Sequence, residues 1–243
     1  IIVLPNAGYQ FVRWSDDVLE SVRNIKVTSD TLLVAETTPI VYSVELQGDH
    51  GRLLGSGEYN SGSHVEIEAI ADEGYHFVRW SDGVVDAIRT IEVNSDITLV
   101  AEFAINVYTV ELKAENGVVY GSGDYEHGAE VEISVTPNEG YQFVGWSDGD
   151  INSTRTIVVT SDIVLQAEFV IEVMTVDVLV ENAVVIGTGE YAYGSEATII
   201  VLPNAGYQFL SWSDGVLESV RNIKVTSDTL LVAETTPIVY SVE

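Results

Sequence analysis

The sequence contains no cysteine among its 243 residues, and this absence removes several kinds of chemistry at once. Without a thiol the chain can form no disulfide, no thiolate metal site and no cysteine nucleophile. Stability must therefore come from the packing of side chains and from hydrogen bonds.

Cations are also scarce. Ten Lys and Arg residues stand against 38 Asp and Glu residues, which gives a net charge of −28. Because nucleic acids and anionic membrane surfaces are bound mainly through basic side chains, this balance argues against both as partners. The negative charge is spread along all the repeats and is not collected in a tail.

Long apolar runs are missing too. Hydrophobic residues make up 46% of the chain, yet none of its runs approaches the roughly 18 to 20 consecutive apolar residues that span a bilayer. The opening letters IIVL are too short and carry no positive charge, so they do not predict a signal peptide. We expect no membrane insertion of this segment.

What the sequence does contain is one motif repeated four times. GYHFVRWSDG begins at Gly74, and close copies begin at Gly8, Gly140 and Gly206. All four tryptophans lie in this motif, and successive tryptophans are 66 residues apart. A fixed period of this length indicates a tandem array, in which a feature required of every unit should recur at the same offset.

The period predicts the organisation of the chain. It gives a partial repeat at 1–41, complete repeats at 42–107, 108–173 and 174–239, and the start of a further repeat at 240–243.

Residues 1–45 and 199–243 differ at three positions only, which indicates a higher-order repeat of three units. We expect the chain to be a window of a longer array. An engineered duplication, or a subunit that exchanges strands with its neighbours, is the alternative.

Within a repeat, apolar and polar residues alternate, as in Val65, Ile67 and Ala69, and this period of two predicts half-buried antiparallel strands. We predict about six strands per repeat, with hairpin turns at 49–51 and 115–117. Segments such as AEFAINVYTVEL, 101–112, join one repeat to the next without the Gly, Pro or Ser of a flexible linker.

The combination Y-x-V-x-L, GSG-x-Y, GY-x-F-V-x-WSDG and AEF resembles the divergent internalin B repeat, a module found in tandem in bacterial surface proteins. The resemblance covers essentially the whole chain. It implies an all-β tandem array of 66-residue β-grasp-like modules, joined end to end without flexible linkers. Met174, Ala183 and Thr235 depart from the pattern in the last complete repeat.

Five side chains of the motif recur in every copy and are the candidate site and structural residues. They are Tyr9, Phe11, Trp14, Asp16, Arg23; Tyr75, Phe77, Trp80, Asp82, Arg89; Tyr141, Phe143, Trp146, Asp148, Arg155; and Tyr207, Phe209, Trp212, Asp214, Arg221.

The aromatic residues are expected to form the core, and the alternative is a platform on which a glycan stacks. Phe77 and Trp80 differ in strand parity, so they can share one face only if the strand is interrupted between them. Tyr59, Tyr125 and Tyr191 follow Gly-rich bends and are expected to be anchored rings with the hydroxyl at the surface.

Asp82 and its copies are expected to close a tight turn with the following Gly. The alternative is that these aspartates bind calcium. The segment WSDGD at 146–150 favours this role, but the D-x-D-x-D-G loop of calcium sites is absent. Arg89 is expected to pair with Asp82 and to lock the loop. No cofactor is predicted.

Catalysis is not expected. The four histidines, His50, His64, His76 and His127, occupy four different offsets, so none recurs between repeats. A nucleophile also needs an adjacent base and a group that orients the base, and no such set repeats.

The sequence therefore predicts a structural segment of a long extracellular bacterial surface protein, acting as a rigid stalk, spacer or filament-forming element. Its partners would be the adjacent repeats, or neighbouring copies in a fibre. The alternative is an adhesin module that recognises a glycan or a protein receptor through loops repeated in each unit.

Overall fold

The computed structural model describes residues 1–241, and within them it contains strands and no helix. Val242 and Glu243, the last two residues of the predicted further repeat, lie outside the described residues. The partial first repeat contributes two strands, β1 (Tyr9–Trp14) and β2 (Ala35–Pro39). The predicted all-β class is confirmed.

Each complete repeat contains seven strands in the same order, so the prediction of about six was one too few. In the first they are β3 (Val41–Gln47), β4 (Gly51–Leu54), β5 (Gly57–Asn60), β6 (Ser63–Ala71), β7 (Tyr75–Trp80), β8 (Ile88–Val93) and β9 (Ile97–Ile105). In the second they are β10 (Val107–Ala114), β11 (Gly117–Tyr120), β12 (Gly123–Glu126), β13 (Ala129–Pro137), β14 (Tyr141–Trp146), β15 (Thr154–Val159) and β16 (Ile163–Ile171). In the third they are β17 (Val173–Leu179), β18 (Ala183–Ile186), β19 (Gly189–Ala192), β20 (Glu196–Pro203), β21 (Tyr207–Trp212), β22 (Val220–Lys224) and β23 (Thr229–Pro237).

The seven strands of a repeat divide between two sheets. In the first repeat the strand order is β5-β3-β9-β7 in one sheet and β4-β6-β8 in the other. One core lies between them, because Val44 of β3, Ile67 of β6 and Leu99 of β9 belong to the same buried cluster. Alternation therefore places one face of each sheet inside, as the period of two predicted.

Two details of strand pairing differ from the sequence prediction. The central pair of the larger sheet, β3 and β9, is parallel and not antiparallel. The turns at 49–51 and 115–117 do not close hairpins, because β3 pairs with β5 and β9, whereas β4 pairs with β6. The turn carries the chain from one sheet to the other, and the Gly-rich bend at 55–56 brings it back to β5.

The interruption required between Phe77 and Trp80 is a β-bulge. The pairing of β7 with β9 shifts register between Phe77 and Arg79, and the same shift recurs in the other copies of the motif. A bulge adds one residue to one strand and so reverses the parity beyond it. Phe77 and Trp80 consequently meet in the same core, with ring centroids 5.5 Å apart.

The chain divides into two compact units, one of Ile1–Tyr108 with Glu126–Gly128 and the other of Thr109–Tyr125 with the residues from Ala129 onward. This division cuts the second complete repeat and does not follow the period of the sequence. The repeat boundaries remain a prediction from the sequence.

At each seam, the junction between one repeat and the next, the two successive strands are separated by one residue. Within the first unit, Ile40 separates β2 from β3, and within the second, Glu172 separates β16 from β17. The Ile40 N–H donates to the carbonyl of Gly8, and the Ile40 carbonyl accepts from the N–H of Ser61, both at 2.8 Å. Each seam is thus tied by two backbone hydrogen bonds, and no flexible linker is present there.

Candidate functional site

The four tryptophans are buried, with exposed fractions of 5% for Trp14, 0% for Trp80, 2% for Trp146 and 1% for Trp212. Each indole N–H donates to a backbone carbonyl six residues later, as Trp80 does to Asp86 at 3.1 Å. Each ring also packs against the phenylalanine of its motif. Their faces are therefore covered by protein and present no platform for a glycan.

The tyrosines of the motif are more accessible. Tyr9 is 48% exposed, and Tyr75, Tyr141 and Tyr207 are half-buried. The ring of Tyr75 stacks on that of His50, with the centroids 4.2 Å apart and the planes nearly parallel.

The Gly-rich bend holds a second tyrosine in each repeat. The hydroxyl groups of Tyr59 and Tyr125 donate to the carbonyls of Gly55 and Gly121 at 3.1 Å, and Tyr191 bonds Gly187 in the same way at 2.7 Å. These hydroxyls are used to close the bend.

The arginine and aspartate of each motif form an ion pair. The Arg89 guanidinium bonds the Asp82 carboxylate at 2.5 Å, and its carbon lies 5.8 Å from the centroid of Trp80. The Arg23–Asp16, Arg155–Asp148 and Arg221–Asp214 pairs repeat this arrangement. A guanidinium over an aromatic face is attracted to it, so the arginine links the loop to the core.

The second repeat adds a carboxylate to this cluster, at the position that favoured calcium. Arg155 bonds Asp148 at 2.5 Å and Asp150 at 3.0 Å. One guanidinium thus bridges both carboxylates. Across residues 1–241, no group of three or more His, Asp or Glu side chains is placed to hold a metal ion.

These ion pairs shift the titration of the aspartates. The pKa of Asp82 lies below its ordinary value of 3.8, first because the carboxylate accepts a hydrogen bond from Arg89, and partial desolvation opposes this effect. The pKa values of Asp16, Asp148 and Asp214 are lowered by their arginines in the same way.

A lowered pKa in the folded state links the stability of the fold to pH. Such a group stabilises the fold above its unfolded pKa, and the contribution is lost as pH falls through the folded pKa. We therefore expect the melting temperature to stay level at neutral and mildly acidic pH and to fall as pH drops below 3.8. In Asp82→Asn this acid-induced fall should be smaller.

Glu66→Gln is the matched control, since it removes one exposed carboxylate of the same repeat that lies opposite the uncharged Thr90. Melting curves recorded as a function of pH check the expectation. Equal slopes for wild type and Asp82→Asn would contradict it.

The histidines lie in separate parts of the fold. His50 stacks on Tyr75, His64 is paired across strands with Glu92, and His76 shares a hydrogen bond with Asn106 at 2.8 Å. His127 lies near Tyr108, and its Nδ1 atom is buried without a hydrogen-bond partner.

The side chains of the motif have the same geometry in four successive copies. A comparison of the sequence with known families finds the same four repeats. The family model of the divergent InlB B-repeat domain matches residues 1–40, 42–107, 108–172 and 175–238. The chain belongs to the divergent InlB B-repeat family. This is a family of repeats in bacterial surface proteins, and the resemblance inferred from the motif is confirmed.

Two relatives come from Evansella cellulosilytica and are named "Putative membrane protein" and "Putative Gly-rich membrane protein". Each is 28% identical to the chain over 183 residues, which cover 71% and 70% of the chain. The matched region spans 28% and 21% of the relatives' own lengths. A solved structure titled "The Bacillus anthracis TIE protein" covers 84% of the chain and 54% of its own, with 9% identity and a TM-score of 0.39.

No helix long and apolar enough to cross a membrane occurs in the part of the chain that the structure describes.

The first complete InlB B-repeat carries an open cleft. It has a volume of about 640 Å³ and is lined by the turn at 47–50 and by β9, including Phe103. At Gly48 an added Cβ would lie 2.8 Å from the carbonyl oxygen of Ala101. The other two complete repeats have Ala114 and Val180 at this offset, so the absence of a side chain here is particular to this repeat.

Sequence reasoning missed the residues that close the seams between InlB B-repeats. The ring of Tyr193 covers Gly140, where an added Cβ would lie 2.1 Å from the Tyr193 Cδ1 atom. His127 covers Gly74 in the same way. The residues that cover these glycines differ from copy to copy. They are Ser61, His127 and Tyr193, so a search for recurring side chains could not find them. The signal lay in their glycine partners, which recur and adopt positive φ.

Proposed function

We propose that the chain is a spacer segment of a bacterial surface protein, in which stiff coupling of successive repeats is the functional property. The observation that carries this proposal is the construction of the seam. In the second unit, the N–H of Glu172 donates to the Gly140 carbonyl at 2.8 Å, and the Glu172 carbonyl accepts from the N–H of Tyr193 at 2.9 Å. One residue therefore bonds to both neighbours at once.

Side chains strengthen the same seam. The Tyr193 hydroxyl donates to the carboxylate of Glu139, and its ring packs on Gly140. This hydrogen bond raises the pKa of Tyr193, so the phenol stays protonated and keeps its donor. A joint with packed side chains and paired backbone groups resists bending more than a Gly-rich or Ser-rich tether does.

The distribution of charge supports the same role. The −28 charge is spread over all repeats, and like charges along one chain repel each other and favour extension. The recurrent polar side chains, Asp82 and Arg89 and their copies, are engaged with one another. The spacer role requires no further function of these side chains.

The experiment compares two glycine substitutions in the second unit. Gly140 and Gly149 lie in the same copy of the motif and have similar φ, +80° and +90°. A Cβ at Gly140 would strike Tyr193, whereas nothing lies within 4 Å of a Cβ at Gly149. Gly140→Ala should therefore disturb the seam, and Gly149→Ala carries only the shared cost of backbone strain.

Small-angle scattering provides the measurement. We expect the maximum dimension of tandem chains to grow by about 30 Å per added repeat, the diameter of a domain of this size. Gly140→Ala should broaden the distribution of distances, while Gly149→Ala should leave it as in wild type. A maximum dimension that does not grow with repeat number, or identical profiles for the two variants, would refute the spacer role.

A second function, recognition of a protein receptor through repeated loops, is favoured by one observation. The loop after each WSDG or WSDD motif presents an exposed aliphatic side chain at a fixed offset. Leu19, Val85, Ile151 and Leu217 are 70% to 75% exposed. If these side chains bind a receptor, replacing all four by Ser should abolish adhesion to host surfaces without lowering the melting temperature.

A further inference from the structure

One sheet of the third complete repeat has an apolar outer surface. Strands β18, β20 and β22 turn Val184, Ile186, Ile200, Leu202 and Val220 away from the core, and these five residues are called the outer apolar face. Four of them are about half exposed, from 47% for Leu202 to 57% for Val184, and Ile200 is half-buried between them. The pairing register makes the face continuous, since Val184 lies opposite Leu202 and Ile200 lies opposite both Ile186 and Val220.

The fold does not require this apolar surface. At the central position of Ile200, the other two complete repeats carry Glu68 and Ser134. At the position of Leu202, the second repeat carries Thr136. Because the same sheet forms with charged or polar residues at these positions, formation of the sheet does not explain why the third repeat carries apolar side chains there. The largest apolar patch on a monomeric protein covers about 300 to 600 Å² and is often functional.

The charges around this face are balanced. Glu196 of β20 lies opposite Lys224 of β22, and Thr198 pairs with Asn222 between that pair and the outer apolar face. In the first complete repeat, the corresponding sheet turns Glu66, Glu68 and Glu92 outward. In a chain of net charge −28, the third repeat thus offers a surface without excess negative charge.

The geometry points to a second copy of this chain as the partner, with the two outer apolar faces packed against each other about a two-fold axis. A flat sheet surface of Val, Ile and Leu is complementary to itself, as an isologous contact requires. Two copies that each carry a charge of −28 repel one another wherever carboxylates face each other, so a sheet surface without net charge favours their approach. This pairing between chains does not depend on the spacer role.

The size of the face sets the strength of the contact. Five side chains of this exposure present on the order of 400 Å² per copy, and a pair buries about twice that area, which is below the roughly 1,200 Å² of stable interfaces. We therefore expect a weak dimer. Tandem copies of the face, spaced identically in two chains, would reinforce one another by avidity.

Sedimentation equilibrium of the full chain over a wide concentration range tests the proposal. Wild type should associate reversibly to a dimer, and raising the salt concentration should strengthen association because it screens the repulsion between acidic chains. The double variant Ile200→Ser with Leu202→Thr installs the residues that the second repeat carries at these positions, so its fold should be retained. It should associate at least tenfold more weakly.

The chain provides a matched control. Val118 and Tyr120 occupy the positions of Val184 and Ile186 in the second repeat and are 49% and 56% exposed. They lie opposite Thr136 and Ser134, which interrupt the apolar surface there. Val118→Thr with Tyr120→Ser therefore removes exposed apolar side chains outside the outer apolar face, and this variant should associate as strongly as wild type.

Three results would overturn the proposal. The first is a wild-type chain that stays monomeric at every concentration. The second is a loss of association in the Val118 and Tyr120 variant but not in the Ile200 and Leu202 variant, which would place the contact outside the outer apolar face. The third is dimerisation that weakens as salt rises, which would indicate attraction between charges.

Discussion

Replacement of Trp80 by Ala is expected to lower the free energy of unfolding by about 3 to 5 kcal/mol, the cost of removing a large aromatic side chain from a core. The side chain is 0% exposed and packs between Phe77 and the Arg89 guanidinium. Its loss leaves a cavity and also deprives the Asp86 carbonyl of its donor. The free energy of unfolding of a domain of this size is small, so a loss of this magnitude should unfold the repeat.

Chemical denaturation of the full chain checks this result, with Tyr120→Ala as the control. Tyr120 is also a large aromatic residue but is 56% exposed, so its removal should change stability little. If Trp80→Ala melts like Tyr120→Ala and instead loses binding to a glycan, the aromatic residues form a binding platform and not the core.

The second large effect comes from a pair of positions that change together. At Gly51 an added Cβ would lie 2.4 Å from the Cζ atom of Phe103, and at Gly117 it would lie 2.6 Å from that of Phe169. The third repeat has Ala183 and Thr235 at these positions. The ring and the methyl group cannot share this space, and the Thr235 hydroxyl instead donates to the Glu181 carbonyl at 2.9 Å.

We therefore expect Thr235→Phe to destabilise the third repeat, because the new ring meets the Ala183 methyl group. Overpacking of this kind costs about 1 to 3 kcal/mol. The double variant Ala183→Gly with Thr235→Phe should recover most of that loss, since it recreates the Gly and Phe pair of the other two repeats. A double-mutant cycle measured by denaturation gives the coupling, expected at about 0.5 to 3 kcal/mol.

Gly117→Ala is the reciprocal test in the second repeat and should be destabilising alone, because Phe169 is present. Strictly additive effects of Ala183→Gly and Thr235→Phe would show that the two positions are independent and that the steric explanation is wrong.

Much of this fold could be predicted from the sequence, because the relevant signals are local or periodic. The 66-residue period, the strand through Val65, Ile67 and Ala69, the linker-free seams and the Arg89–Asp82 pair all follow from residue type and spacing. The parity of Phe77 and Trp80 indicated an interruption of the strand, since no unbroken strand could place both rings in one core, and the structure shows that the interruption is a β-bulge.

Strand pairing could not be predicted in the same way. Alternation shows which side chains of a strand point inward, but it does not name the neighbouring strand. That is why β3 and β9 were expected to be antiparallel and the turn at 49–51 was expected to close a hairpin. The seams were missed for a related reason, because Tyr193 and Gly140 are far apart in sequence and only the fold brings them together.

The near-identical segments 1–45 and 199–243 show most clearly which features depend on local sequence and which depend on tertiary contacts. In both, the local motif forms the same bulged hairpin, β1 with β2 and β21 with β23. Yet Val225 is 0% exposed while Val27, at the same position, is 71% exposed, and β22 has only the single bridge Ile2–Val22 as its counterpart. The sequence alone determined the hairpin and its tryptophan, because their contacts lie within about 30 residues. The second sheet was decided by tertiary structure, because a strand persists only where partners supplied by β17 to β20 satisfy its backbone and cover its apolar face.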